Sequence, residues 1–423
     1  MNILALNCGS SSIKYKVFNS GKKELLGFGS VERIGIPGSF IRHERPGSEP
    51  QITNYECPNH ETALKLIAET LVAPNIGIIK NLSEINAVGH RVVHGGEKFK
   101  SSVKIDADVL AAIKAVKDLA PLHNPPNIAG IEAAQILFPG VPQIAVFDTA
   151  FHQTMPESAY IYAVPYEWYG MYGVRRYGFH GTSHLYVSRR AAVLLDKKPY
   201  DTNLITMHIG NGVSITAIKN GESVDTSMGL TPLEGAVMGT RSGDIDPAII
   251  LFMIEKEGFY AEQIDSILNK KSGLLGITGK YMDRRDVEKA AEEGDKRAKL
   301  AVEIETYRLK KYIGAYSAAL GKVDAIVFTA GAGELNWQLR EKVLTGLDNL
   351  GIKFDPIKNK AAVYRDRETD ISADGSPIKV FVIPTDEETV FIEDVVAILE
   401  GRYDVHTRFR YSFEDANYKR KKN

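Results

Sequence analysis

Histidine, arginine and aspartate concentrate in five short stretches that are too polar for the strands and glycine turns around them. These are GHRVVHGGEKF (89–99), PLHNPPN (121–127), VFDTAFHQTMP (146–156), RRYGFHGTSH (175–184) and DTSMGLTPLEGAVMGTRSGDIDP (225–247). Together they hold Arg91, His94, His123, Asp148, His152, His180, His184, Arg241 and Asp244. A single histidine after a strand is usually a hydrogen-bonded structural residue, and a single arginine a solvated charge. Several of each beside Gly and Pro turns point instead to chemistry. His180, Arg241 and His123 read as functional, and His94, His152 and His184 as structural. His180 and His184 have the spacing of a zinc pair, but no Glu stands between them as in HExxH, so zinc is not expected. GFHGTS is not a G-x-S-x-G elbow, which argues against serine hydrolysis. What remains is anion chemistry, with arginines beside carboxylates at Asp148 and Glu387 of the kind that bind Mg²⁺. Phosphoryl transfer calls for such a set, because positioning and charge neutralisation supply most of its catalysis.

The places where a polyphosphate could sit are equally visible. NILALNCGSSSIKYKVF (2–18) reads as a strand, a turn of small polar residues from Asn7 to Ser12, and a second strand. No helix follows the turn and no GxxxxGK[ST] pattern is present, so this is not a P-loop. NLITMHIGNGVSITAIKNGESVDTS (203–227) repeats the arrangement: strand, Gly-Asn-Gly turn, strand, tight Asn-Gly turn, strand. The two segments share a pattern and not residues. Two such hairpins on similar domains could grip a polyphosphate through backbone N–H groups.

The elements that must position these residues alternate between strand and helix, which predicts an α/β architecture. HETALKLIAETLV carries Leu64, Ile67, Ala68 and Leu71 at helical spacing, and DADVLAAIKAVKDLA has an Asp cap. PNIAGIEAAQILFPG opens on Pro and closes on Pro-Gly. A long helical region runs from about Asp283 to Leu320. VDAIVFTAGAGE reads as a buried strand running into a glycine turn, with a helix after it. The last helix, in TDEETVFIEDVVAIL, could pack back on the first domain. The tail GRYDVHTRFRYSFEDANYKRKKN reads as a surface extension. At 423 residues the chain suggests two or three domains, and 44% hydrophobic composition makes a folded core the expectation. The expected division is residues 1–149, completed by the helix around 386–400, then 150–385, then the polar basic tail 401–423. A net charge of −1 gives no global pull toward nucleic acid or anionic membrane, and no apolar run is long enough to span a bilayer. Cys8 and Cys57 lack metal or disulfide spacing, which fits a reducing cytoplasm.

Seven motifs in order, NCGSSSIKYKVF, HRVVHGGEKF, PLHNPPN, FDTAFHQTMP, RRYGFHGTSH, HIGNGVSI and DTSMGLTPLEGAVMGTRSGDIDP, resemble the acetate kinase family. That family belongs to the actin-like, sugar-kinase-like and Hsp70-like ATPases. The resemblance runs from about Ile3 to Leu399. It implies two similar ribonuclease-H-like α/β domains facing each other across a catalytic cleft, and Mg²⁺-dependent, reversible transfer of the ATP γ-phosphoryl to acetate, giving acetyl phosphate and ADP. Mn²⁺ is a substitute metal, and a cytoplasmic homodimer is implied.

The same resemblance implies roles residue by residue. Arg91 and Arg241 lie around the carboxylate substrate and the transferring phosphoryl, His180 donates to a phosphoryl oxygen, and His123 supports it. Asp148, Glu387 and Asn7 lie toward the metal. Ser10, Ser12, Lys14, His208, Gly210, Asn211, Gly212, Asp283, Arg285, Gly331, Gly333 and Glu334 contact nucleotide or phosphate. Val93, Leu122, Phe179 and Pro232 line the acyl pocket, all bulky enough to favour acetate. Two departures stand out: AGAGELN where the family has GGIGENS, with Leu335 at the usual Asn, and TDEE where it has TNEE, with Asp386 at the usual Asn. The alternatives are a propionate or other short-chain acyl kinase, a non-catalytic ATP-binding switch, a pyrophosphate-using kinase, and a sugar kinase with Asp148 as base. A carboxylate is ionised at neutral pH and needs no base, so two arginines suit an anionic acceptor better than a hydroxyl.

Overall fold

The computed structural model describes residues 1–420, so the last three residues of the basic tail, 421–423, lie outside the described residues. Among the described residues fourteen strands fall into two sheets. In the first, β1 (Asn2–Cys8), β2 (Ser12–Asn19), β3 (Glu24–Glu32), β4 (Phe40–Glu44), β5 (Gln51–Asn54), β6 (Ile85–Val92), β7 (Val103–Lys104) and β8 (Gln143–Phe147) run in the order β5-β4-β3-β2-β1-β6-β8-β7. In the second, β9 (Asn203–Ile209), β10 (Val213–Lys219), β11 (Glu222–Thr226), β12 (Ala325–Thr329), β13 (Thr369–Asp370) and β14 (Lys379–Val382) run in the order β11-β10-β9-β12-β14-β13.

Both sheets contain one five-strand pattern. Three consecutive strands pair antiparallel, and the first also pairs parallel with a later strand: β1 with β6, β9 with β12. A fifth strand then adds in parallel, β8 on β6 and β14 on β12. The repeat expected from the two hairpin segments is therefore a repeat of topology. Period-2 alternation sets the hairpin registers, and Asn220 and Gly221 close β10–β11 with φ of 50° and 77°, the left-handed pair that a two-residue hairpin turn needs.

The chain forms two compact units, residues 1–151 with 387–411, and residues 152–386 with 412–420. The helix Glu387–Leu399 returns to the first unit, where Phe391, Ile392 and Val395 pack with Ile3, Ala87, Ile144 and Val146. Only glycine fits at position 89 beneath it, since a Cβ there would lie 2.4 Å from Phe391 Cε1. In the second unit a 25-residue helix, Lys296–Leu320, buries Ala298, Ala301, Val302, Leu309 and Ile313, and Gly294 interrupts the long helical region before it. Among the described residues no helix is long and apolar enough to cross a membrane.

Two expectations are corrected. The tail is not a surface extension: His406, Tyr411 and Phe413 are buried, because its aromatic side chains carry more apolar area than its basic composition suggests. The glycine stretch after β12 is not a turn but a short helix, Ala330–Leu335, in which Ala, Glu and Leu favour helix and Ala330 enters with φ of 63°.

His90 shows how burial in this fold couples to pH. It is fully enclosed, bonded through Nε2 to Gln143 Oε1 at 2.7 Å, and burial lowers its pKa from 6.5 to about 4. A depressed histidine keeps its full contribution above the unfolded pKa and loses it as pH falls toward the folded one. The protein should therefore lose about 2 kcal/mol from this group between pH 7 and pH 5. Denaturant unfolding at the two pH values measures this. A His90→Leu variant with an undiminished pH slope would rule His90 out as its source.

Candidate active site

In the first unit the β1–β2 turn closes through Gly9 N–H donating to Ser12 O at 2.8 Å, with Asn7 opposite Lys14 in the register. Ser10 and Lys14 are exposed, and Asn7 and Ser12 half-buried. His60 Nε2 bonds Gly9 O at 2.7 Å and steadies the turn. The PLHNPPN motif opens the helix Asn124–Leu137, with Pro at its first turn and His123 at its N-cap. Its asparagines tie loops together. Asn127 Nδ2 donates to Cys8 O at 2.7 Å while its Oδ1 accepts from Val93 N at 3.0 Å. Asn124 bonds both N and O of His94, at 3.1 and 2.9 Å. Neither asparagine had been singled out from the sequence.

Arg91, near the end of β6, meets Asp148, just past β8, in a two-pronged pair: Nε to Oδ1 at 2.8 Å and Nη2 to Oδ2 at 2.6 Å. The Asp148 side chain is buried and that of Arg91 is one-third exposed. The Asp148 charge, with Glu387 adding to it, pushes the Arg91 pKa above its ordinary value, so the guanidinium stays charged. Two carboxylates thus act on one half-buried guanidinium. Among the described residues no group of three His, Cys, Asp or Glu forms a protein-only metal cage. The oxygen donors present, Asp148, Glu387 and Asn7, fit Mg²⁺, which is held through one or two carboxylates plus substrate phosphates. Val93 is half-buried and Leu122 exposed.

In the second unit the β9–β10 turn closes through Gly210 N–H donating to Gly212 O at 3.0 Å, leaving Asn211 exposed. His180 and Arg241 converge on this turn: a Cβ on Gly212 would lie 3.4 Å from His180 Cε1 and 3.5 Å from Arg241 Nη1. His180 holds a left-handed φ of 58° at the start of the helix Gly181–Leu194. This strained conformation in a non-glycine residue often accompanies function. His180 Nδ1 bonds Ser214 Oγ at 2.9 Å, and its ring stacks on His208 with centroids 4.1 Å apart. Arg241 Nη1 donates to Pro232 O at 3.2 Å, and burial lowers the Arg241 pKa.

The neighbouring histidines bond protein groups. His184 lies between Thr206 Oγ1 and Ser214 Oγ, both at 2.7 Å, and burial holds its pKa well below normal, so it is neutral. His152 Nε2 donates to Phe179 O at 2.9 Å while Ser223 Oγ bonds its Nδ1 at 2.9 Å. Phe179 itself is buried, and Pro232 is half-buried. Asp244 also serves structure, accepting from Gly235 N at 2.8 Å and from Tyr312 OH at 2.6 Å.

Asp283 caps the helix Arg284–Glu292 and pairs with exposed Arg285 at 2.5 Å, a hydrogen bond that lowers the Asp283 pKa to about 2. Gly331 is exposed with nothing within 4 Å of where a Cβ would stand. Gly333 and Glu334 are buried, and Leu335 is half-buried. The sequence reading missed Arg284. Its Nη1 donates to Gly210 O, and its Nε to Glu305 Oε1 at 2.5 Å, anchoring the β9–β10 hairpin to two helices. A signal existed: Glu305 is a charged residue on the buried stripe of the Lys296–Leu320 helix, and such a group needs a partner.

Residues 2–393 match the Acetokinase family. The chain is 65% identical over 420 residues, 99% of its length and all of the relative's, to the acetate kinase of Geobacter metallireducens. Among solved structures, the acetate kinase of Porphyromonas gingivalis superposes with a TM-score of 0.89 at 49% identity, covering 94% of this chain and 99% of that one. The propionate kinase of Francisella tularensis gives 0.86 at 44% identity, covering 93% and 98%.

Proposed function

The chain belongs to the acetokinase family, and from that premise we infer that it catalyses reversible transfer of the ATP γ-phosphoryl to acetate, forming acetyl phosphate and ADP. One observation carries the site assignment: His180 and Arg241 both approach Gly212 of a glycine-rich hairpin turn, within 3.5 Å of where a Cβ there would stand. A carboxylate nucleophile is already ionised, so the barrier is repulsion between two anions. Arg91, held rigid by Asp148, would orient the acetate carboxylate through its exposed edge. Arg241 would stabilise charge on the equatorial phosphoryl oxygens, and His180 would donate to one of them, with His123 in support. Backbone N–H groups of the turns at Ser10–Ser12 and Asn211–Gly212, with Gly210, Lys14 and His208, would bind the polyphosphate. Asp283, Arg285, Gly331, Gly333 and Glu334 would face the rest of the nucleotide. Asp148, Glu387 and Asn7 would hold Mg²⁺ (or Mn²⁺ in its stead), which when bound neutralises phosphate charge.

Trapping acyl phosphate as hydroxamate, with ATP and Mg²⁺ against acetate, propionate and butyrate, tests the reading. Turnover with acetate is the expected result, and no acyl phosphate from any acid would overturn it. Val93 and Leu122 of the first unit would contact the acyl group, as would Phe179 and Pro232 of the second, each by resemblance to the family. One methylene is worth about 1–3 kcal/mol in a hydrophobic pocket. Val93→Ala should therefore raise kcat/KM for propionate relative to acetate by about tenfold, and an unchanged ratio would remove Val93 from contact with the acyl group.

The remaining assignments are a cytoplasmic, homodimeric enzyme without nucleic-acid or membrane partners. Both cysteines are free and buried, and the net charge is −1. Tyr166, Trp168, Met171, Tyr172, Leu251 and Phe252 of the second unit are exposed, apolar area that self-association would cover. Sedimentation velocity reporting a monomer at micromolar concentration would count against the dimer.

A further inference from the structure

Residues 412–420 lie beyond the family match, which ends at 393, and belong to the second unit. They are firmly seated. The ring of Phe413, fully buried, packs 4.7 Å from that of Tyr186, and its carbonyl accepts from Arg190 Nη1 at 2.7 Å. Arg190 is itself fixed by Glu368 at 2.5 Å. This seating brings Arg420 to Asp386, with Nε 3.6 Å from Oδ2, and its Nη1 donates to Arg365 O at 2.6 Å.

Asp386 is 7% exposed and follows Thr385, which supports two parts of the site at once. Thr385 N donates to Glu334 Oε1 at 3.1 Å. Its Oγ1 bonds Ser183 Oγ at 2.9 Å, and Ser183 Oγ bonds His208 Nδ1 at 2.8 Å. His208 in turn stacks on His180. A buried carboxylate at this turn repels a bound polyphosphate unless a cation offsets it. Burial raises the pKa of Glu334, and Arg420 is among the groups that pull it back, so the charge of Arg420 reaches that far.

We propose that Arg420 is a positioning residue for the nucleotide: by pairing with Asp386 it cancels a buried negative charge and fixes the turn at Thr385 that supports Glu334 and His208. The C-terminal segment is thus a working part of the nucleotide site. The proposal rests on the reading that the second unit binds ATP and ADP.

A double-mutant cycle tests it, using isothermal titration of Mg·ADP into wild type, Arg420→Met, Asp386→Asn and the pair, with melting temperature and steady-state kinetics alongside. Arg420→Met should weaken Mg·ADP about fivefold, the scale of one partly screened charge. KM for ATP should rise in proportion while KM for acetate stays near wild type, and the melting temperature should fall, because buried Asp386 loses its cation. Asp386→Asn alone should bind at least as tightly as wild type, and the pair should return to within about twofold. Wild-type affinity in Arg420→Met, weaker binding in Asp386→Asn, or no rescue in the pair would each overturn the proposal. If wild type binds Mg·ADP and the cycle holds while no acetyl phosphate forms, the reaction reading fails and the role of Arg420 stands.

Discussion

Arg241→Ala is expected to lower kcat by about 10³–10⁵ with the protein still folded, the range lost when an arginine that neutralises a transferring phosphoryl is removed. The size of the effect follows from the surroundings. Arg241 Nη1 lies 3.5 Å from where a Cβ on Gly212 would stand, beside His180, and its protein contacts are neutral: the Pro232 carbonyl and the Met238 sulfur at 3.8 Å. Among the described residues no carboxylate bonds Arg241, so its charge is left to act on the Gly210–Gly212 turn. Burial lowers its pKa, which marks a cation held at a desolvation cost that an anionic substrate would relieve. Hydroxamate-trapped turnover and the melting temperature of the purified variant decide the matter. A kcat within tenfold of wild type would remove Arg241 from the reaction.

Arg91→Ala should have the second largest effect, a fall in kcat/KM for acetate of about 10²–10³. It should also lower stability, because Asp148 would be left buried without its partner. That loss is about 2 kcal/mol, below the 3–5 of a fully buried pair, because the Arg91 side is one-third exposed. Arg91→Lys should recover stability but little activity. An ammonium is a point charge and cannot bond both Asp148 oxygens while keeping an edge for acetate. Steady-state kinetics with acetate varied, paired with thermal unfolding, separate the two effects. Full activity in the lysine variant would mean that charge alone suffices and the planar fork is not used.

Much of this was legible locally. The strands of both hairpins, the Asn-Gly turn at Asn220 and the helix caps follow from alternation, glycine conformation and short-range hydrogen bonds, which any sequence window contains. His94, His152 and His184 were expected to be structural, and the structure places them among Ser, Thr and backbone partners. The polar stretches themselves pointed to anion chemistry, because residue type sets what a side chain can donate or neutralise.

Tertiary structure alone decided who meets whom. Arg91 and Asp148 are 57 positions apart in sequence, and it is the parallel pairing of β6 with β8 that brings them together. Arg284 finds Glu305 and the Gly210 carbonyl only once two helices pack beside the hairpin. The basic tail looked like solvent-exposed chain because composition averages over Tyr411 and Phe413, whose burial depends on residues elsewhere in the chain, such as Asp394 for Tyr411 and Tyr186 for Phe413. Asp386 stood out in the sequence only as a departure at the usual Asn, and the tail that delivers Arg420 to it is visible only in the fold. In each case the deciding contact is long-range. Its energy depends on burial and distance, which the fold sets and the order of residues along the chain does not display.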